Sequence, residues 1–430
     1  MKERKTMKKL LLTTALMSLN IALVADHTPD HSGTENLSLI AKNGQVISAD
    51  YEKITISKSF YSEGAAYGDL NGDGVNDLVA GSFWWEGPEY KVKHQIRELD
   101  GSKKHTPVKN NAYTPIKYSN SFGNWVRDIN KDGHNDILLV GLPGSPLYAY
   151  LNPGKGQGQW QEVALWDVVD NESPQLLDVD GDGTEELICN YDGYFGYAKM
   201  NPKNPLDKWF FHKISTKGKW HKYTHGIGMG DVNNDGLMDM LAGHGWLEQP
   251  KDAKPGQEWV YHKQQFSNGE RHCGAQMFTY DVDGDGRNDV ITSGNAHGYG
   301  LYWFKNIDNK SFSKQVIMGT QAKDNKFGVK FTQLHAIEHV DMNNDGLKDI
   351  VTGKRYWAHG PKGDAEPMAP AVLYIFQLVH ENGQAYYKPI KIDNNSGVGT
   401  QFSAGDVNKD GLNDILVSNK KGTYLFLQKK

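Results

Sequence analysis

Seven short acidic stretches of a single pattern punctuate this chain. They read DLNGDGVND from Asp69, DINKDGHND from Asp128, DVDGDGTEE from Asp178, DVNNDGLMD from Asp231, DVDGDGRND from Asp281, DMNNDGLKD from Asp341 and DVNKDGLND from Asp406. Their starts lie roughly 50 to 65 residues apart, the size range of a four-stranded blade. Each stretch places oxygen-bearing side chains at positions 1, 3, 5 and 9 and glycine at position 6. Alternate oxygens can wrap one hard cation, a backbone carbonyl near position 7 adds a ligand, and glycine permits the sharp turn. A helical calcium hand would carry its bidentate acid at position 12 and run on as helix. Here the acid is at position 9, and a β-type apolar run follows at once, as in DILLVG, DVITS and DIVTG. Each stretch is therefore read as the turn of a β-hairpin.

The candidate calcium ligands follow repeat by repeat. They are Asp69, Asn71, Asp73 and Asp77; Asp128, Asn130, Asp132 and Asp136; Asp178, Asp180, Asp182 and Glu186; and Asp231, Asn233, Asp235 and Asp239. The last three repeats add Asp281, Asp283, Asp285 and Asp289; Asp341, Asn343, Asp345 and Asp349; and Asp406, Asn408, Asp410 and Asp414. The alternative, for one or two of the seven loops, is an acidic turn without metal. The chain has 47 glycines and 21 tyrosines, which suits a turn-rich all-β protein. The net charge of −5 offers no broad basic surface for nucleic acid.

These loops resemble the FG-GAP, or VCBS, repeats of β-propellers such as the integrin head. The resemblance implies an all-β fold, a seven-bladed β-propeller over residues 51–430 with calcium-loop hairpins. The last repeat has only one strand signal after its hairpin, GTYLFLQKK. The run YEKITISKSF at residues 51–60 precedes the first loop without a blade of its own. It is expected to pair beside residues 423–428 and close the ring, which removes exposed sheet edges.

Residues 1–25 read as a signal peptide. Lys2, Arg4, Lys5, Lys8 and Lys9 precede the apolar run Leu10–Val24, with cleavage expected after Ala25. An uncleaved anchor is the alternative, but Thr13, Thr14, Ser18 and Asn20 dilute a run already short for a span. The expectation is an exported protein, periplasmic or secreted, monomeric and not stably inserted in a membrane. Residues 26–50 are polar and read as a linker. Cys189 and Cys273 are expected to be buried free thiols.

If all loops lie on one face, the starts of the first strands and the ends of the second strands collect at the opposite face around the axis. Those positions are rich in His, Trp and Lys/Arg. The candidate catalytic residues are His225, His297, His335, Arg355, Lys354, His244 and Tyr194. The candidate substrate-binding residues are Gln276, Trp84, Trp246, Trp357, His359 and Asn124, the tryptophans serving either sugar stacking or packing between blades. His272 belongs to the same group of histidines. Imidazoles can act as base or acid, and two or three can hold Zn²⁺ or another divalent metal. Lys354 and Arg355 can hold the charge of an enolate.

That composition suits an exported carbohydrate lyase or dehydratase, working by β-elimination on a uronic-acid saccharide or keto-sugar. The layout is similar to ulvan lyases and to the propeller of fungal aldos-2-ulose dehydratase, without a residue-by-residue match. A non-catalytic propeller that binds glycans or a protein partner is the alternative. A two-carboxylate glycosidase ranks lower, since Glu63, Glu86, Glu172 and Asp192 are the few acids near this face outside the loops. There is no GxSxG elbow, phosphate-binding glycine loop or HExxH.

Overall fold

A computed structural model describes residues 37–40, 46–101, 106–269 and 273–429. The expected signal peptide at 1–25 lies outside the described residues. Within the expected linker, Leu37–Ile40 pairs antiparallel with Val46–Ala49, so part of that stretch is a hairpin.

Among the described residues the fold is all-β, with one short 3₁₀ turn at Ala322–Asp324. Every acidic stretch sits in a hairpin between the first and second strands of an antiparallel four-strand meander. In repeat one the strands are Ala66–Gly68, Asp77–Ala80, Phe83–Trp85 and Lys93–Gln95. Repeats four, five and six follow the same order. Repeats two and three share one long strand, Gln161–Leu177. Its first half pairs with Ser145–Leu151 and its second half with Glu186–Tyr191. Repeat seven takes its fourth strand from the other end of the chain: Tyr51–Ser57 pairs with Gly422–Gln428, Tyr51 facing Gln428 and Ile54 facing Leu425.

The apolar faces of these meanders meet in seven clusters, and each cluster belongs to two consecutive repeats. Trp84 and Val79 of repeat one pack on Val126, Ile137 and Tyr150 of repeat two. Val407, Leu416 and Leu425 of repeat seven pack on Leu78, Ala80 and Phe83 of repeat one. The remaining five clusters join repeats two to three, three to four, four to five, five to six and six to seven. Packing on both faces explains why the second strands are buried almost residue for residue.

The ninth-position acids work in this packing. Asp77 is fully buried; one oxygen accepts the Leu70 N–H at 2.8 Å and the other accepts the Gly87 N–H, just past the third strand, at 2.9 Å. Asp136, Asp239, Asp289, Asp349 and Asp414 repeat this double bond. Burial pushes these carboxyls up, to about 6 in Asp77 and about 7 in Asp239. They staple each loop to its strands, and a cation would have to share oxygens already engaged. The eighth position contributes as well. Asn135, Asn288 and Asn413 each donate to the carbonyl of the first residue of the preceding loop, and Asn76 of loop one donates to Val407 of loop seven.

Candidate functional site

The hairpin register fixes which side chains can meet. In repeat four Gly230 faces Asp239 beside the loop, so Ile227 and Ala242 mark the far ends of the two strands. His225 and His335 lie just before first strands, Ile227–Gly230 and Ile337–Val340. His297 and Arg355 lie just after second strands, Asp289–Ser293 and Asp349–Gly353. All four therefore sit at strand ends away from the acidic loops.

Three imidazoles from three repeats converge there. The ring centroids of His225 and His297 are 4.8 Å apart, those of His297 and His335 4.6 Å, and those of His225 and His335 5.4 Å. One ring nitrogen from each lies within 4.8 Å of the other two. His335 is 1% exposed. His335 Nε2 is buried without a hydrogen-bond partner, while His225 Nε2 faces Glu172 and His297 Nδ1 faces Asp364. Burial pushes His335 well below the ordinary histidine range, and the neighbouring Arg355, His297 and His225 push it further. Burial also lowers His297, against the opposing Asp364. These two rings are thus held neutral, as bases or ligands require.

A buried ionic network adjoins the histidines. Arg355, 2% exposed, donates to Glu63 Oε2 at 2.6 Å and to Glu172 Oε2 at 3.1 Å. Lys420 Nζ is 3.7 Å from Glu63, and His225 Nε2 is 3.4 Å from Glu172. Burial works to raise the Glu172 carboxyl, but His225 and Arg355 outweigh it and hold it well below the usual range. Burial lowers Lys420 to about 8. This corrects one expectation: the Arg355 fork is engaged by two carboxylates and does not face a ligand as an open clamp. Lys354 is fully buried, donates to Thr332 Oγ1 at 3.0 Å, and is lowered by burial to about 8.

At the open rim, His359 is 51% exposed and stacks on His297 with centroids 4.5 Å apart. Its Nδ1 is 2.8 Å from Asp364 Oδ1, which also lies 3.2 Å from His297 Nδ1. Burial opposes it, yet hydrogen bonds from His297 and His359 hold the Asp364 carboxyl well below its usual range. Trp357 is half-buried, stacked on Tyr356 at 4.8 Å, with positive φ of 59°.

Other expected members are placed elsewhere. Trp84 is fully buried and stacks on His94 at 4.2 Å; Trp246 is 2% exposed and stacks on His262 at 4.2 Å. Both pack between repeats and are closed to a sugar. Asn124 is fully buried and bonds to Ser62, Ser121 and Gly81. Gln276 accepts the Ile337 N–H and donates to the Thr400 carbonyl. Their amides tie first strands of different repeats together, so both are structural. Tyr194 pairs across its hairpin with Tyr191 under Lys213, without contact to the histidines. His244 Nε2 lies 3.4 Å from Cys273 Sγ, and its ring lies parallel to Trp220 at 6.1 Å. Cys189 and Cys273 are free and buried. His272 lies outside the described residues.

His244 and His225 share a groove of about 460 Å³ with Lys219, Trp220, His221, Tyr223, Thr224 and Cys273. Sequence reasoning placed Glu63 and Glu172 near this face without giving them a role, and it missed Asp364. Asp364 had a readable signal. The link from the second to the third strand of repeat six runs from Gly353 to Leu373, against Ala80 to Phe83 in repeat one and Ala242 to Gly245 in repeat four.

A family model described as FG-GAP-like repeat matches residues 128–189 and 281–352. Integrin alpha-PS3 of Drosophila melanogaster is 23% identical over 187 residues, 38% of this chain and 15% of the integrin's length. Among solved structures, an Agrocybe aegerita lectin that recognises non-reducing terminal N-acetylglucosamine superposes with a TM-score of 0.45. It shows 15% identity and coverage of 83% of each chain. A Bacillus licheniformis rhamnogalacturonan lyase gives a TM-score of 0.41 and 12% identity, covering 90% of this chain and 78% of its own. Function is therefore read from the site's own residues. FG-GAP-like repeats are thus found in this chain at residues 128–189 and 281–352.

Proposed function

We propose that the protein is a carbohydrate-active lyase or dehydratase built as a closed seven-bladed propeller. Its substrate class is a uronic-acid saccharide or keto-sugar, opened by β-elimination at the strand ends opposite the acidic loops. The pairing of Tyr51–Ser57 with Gly422–Gln428, and the core shared by repeats seven and one, support the closed ring. Among the described residues no helix is long and apolar enough to cross a membrane. The basic, apolar N-terminus supports export.

The single observation that carries the catalytic reading is the convergence of three imidazoles, one ring nitrogen from each lying within 4.8 Å of the other two. A buried polar atom without a partner costs roughly 1–3 kcal/mol, so the unpartnered His335 Nε2 supports a ligand at this point. The donor set of His225, His297 and His335 fits Zn²⁺ or a similar divalent ion. When bound, such an ion polarises a carbonyl or carboxylate oxygen and stabilises developing enolate charge. The chain's own groups supply the rest. Asp364 orients the exposed His359, leaving its second nitrogen free to take the proton next to the carbonyl or to protonate the leaving oxygen. Glu172 and Glu63 hold Arg355 and Lys420 in a buried network whose charges balance. Trp357 with Tyr356, and Trp220 in the adjoining groove, offer flat faces for sugar rings. Lys219 at that groove favours an anionic chain.

In the five loops with Asn at position 3, we propose Ca²⁺ as a structural ion. An Asp at positions 1, 5 and 9 gives three carboxylates to one loop, a hard-oxygen set. The direct test of the catalytic reading is ultraviolet detection of unsaturated sugar against panels of uronic-acid polysaccharides and keto-sugars. A rise with one class is expected. Absence of product with every member, alongside measurable glycan binding, would favour the non-catalytic reading.

A further inference from the structure

The seven acidic loops are not alike, and the difference has a partner elsewhere in each repeat. Position 3 is Asn in five loops, and Asp only in loops three and five, at Asp180 and Asp283. In the first type the amide acts inside the loop. Asn71, Asn130, Asn233 and Asn343 each donate from Nδ2 to the position-5 aspartate, at 2.8 to 3.0 Å. An aspartate at position 3 cannot donate, and it adds a fourth carboxylate.

The third strand compensates. The register sets one residue of that strand opposite the ninth-position acid. It is Lys199 in repeat three and Lys305 in repeat five. The equivalent positions in the other repeats are Glu86, Leu151, Glu248, Gln377 and Leu427. Lysine thus occurs there only where position 3 is Asp. Lys199 Nζ contacts Asp180, lies 2.7 Å from Asp182 Oδ2 and 3.2 Å from Glu186 Oε1. Lys305 Nζ contacts Asp283 and lies 3.1 Å from Asp285 Oδ2. These oxygens, at positions 3, 5 and 9, are ones a loop cation would take. Three loop carboxylates converge within 4.8 Å only in these two loops among the described residues, Asp178 with Asp180 and Glu186, and Asp281 with Asp283 and Asp285.

We propose that Lys199 and Lys305 are built-in cations that close loops three and five, so that these two loops hold their turn without a divalent ion. The five Asn-type loops carry no such ammonium and are the ones open to Ca²⁺; this half of the proposal rests on the calcium reading above. The arrangement lets part of the ring keep its hairpins where calcium is scarce.

The test compares wild type with Lys199→Met/Lys305→Met, and each single variant, by equilibrium dialysis with ⁴⁵Ca²⁺ and by melting in EGTA. Wild type is expected to bind at most five Ca²⁺ per chain and the double variant up to two more, matching its two altered loops. In EGTA the variants should melt several degrees below wild type, with excess Ca²⁺ restoring the difference. Seven ions in wild type, or variants that melt with wild type in EGTA, would overturn the proposal. If EGTA leaves wild type unchanged while the variants still melt lower, the lysine role stands and calcium in the other five loops is refuted.

Discussion

Replacing His297 with alanine should reduce product formation by about 10²–10⁴-fold, the range expected for loss of a positioned acid–base or ligand group. The melting temperature should stay close to that of wild type. His297 touches every part of the proposed centre: His225, His335, His359 and Asp364. Its Nδ1 lies 3.2 Å from Asp364, which keeps His359 as a partner in the variant. A structural histidine would behave in the opposite way, with a lower melting temperature and proportionate loss of activity. Steady-state kinetics with thermal melts on His297→Ala and His335→Ala separate the two. Because burial holds both rings below the ordinary histidine range, they stay neutral to lower pH than a free imidazole. The acid limb of the rate profile should therefore lie below about pH 6.5, the unperturbed value.

The second large effect concerns stability. Arg355→Met should destabilise the protein by about 3–5 kcal/mol, as expected when one partner of a buried ion pair is removed. Glu63 and Glu172 would be left in the interior with Lys420 and His225 as remaining partners. The network joins repeats one, three, six and seven, so its loss loosens the axis rather than one hairpin. Glu63→Gln combined with Arg355→Met should cost less than the sum of the two single changes, since it removes the stranded charge. Denaturant midpoints of the four proteins decide this. Additive losses, or an Arg355→Met midpoint equal to wild type, would show that the cluster carries no coupling.

Much of the architecture was legible because the repeat couples a local motif to its period. Gly at position 6, acids at 1, 5 and 9, and the apolar run after position 9 specify a hairpin at each of seven places. The orphan run from Tyr51 specifies the partner of the last strand. The convergence of His225, His297 and His335 follows from register alone, since residues at the same strand end of adjacent repeats are neighbours. Burial was not legible at that level. Trp84 and Trp246 occupy strand positions that alternate into the inter-repeat core, where indole stacks on His94 and His262 rather than on a ligand. Asn124 and Gln276 look like binding groups in sequence, but their amides satisfy backbone groups of neighbouring repeats. Arg355 depends on contacts with residues 292 and 183 positions away, a pairing no local pattern carries. Asp364 lies in an insertion outside the repeat, where the repeat's register gives no guidance.

The most direct measurement is anomalous diffraction from crystals equilibrated with Zn²⁺ at low concentration. One peak bounded by the imidazoles of His225, His297 and His335, absent in His297→Ala crystals, is the predicted result. Crystals in which those rings stay without a metal peak while Zn²⁺ scatters elsewhere would contradict the proposed centre.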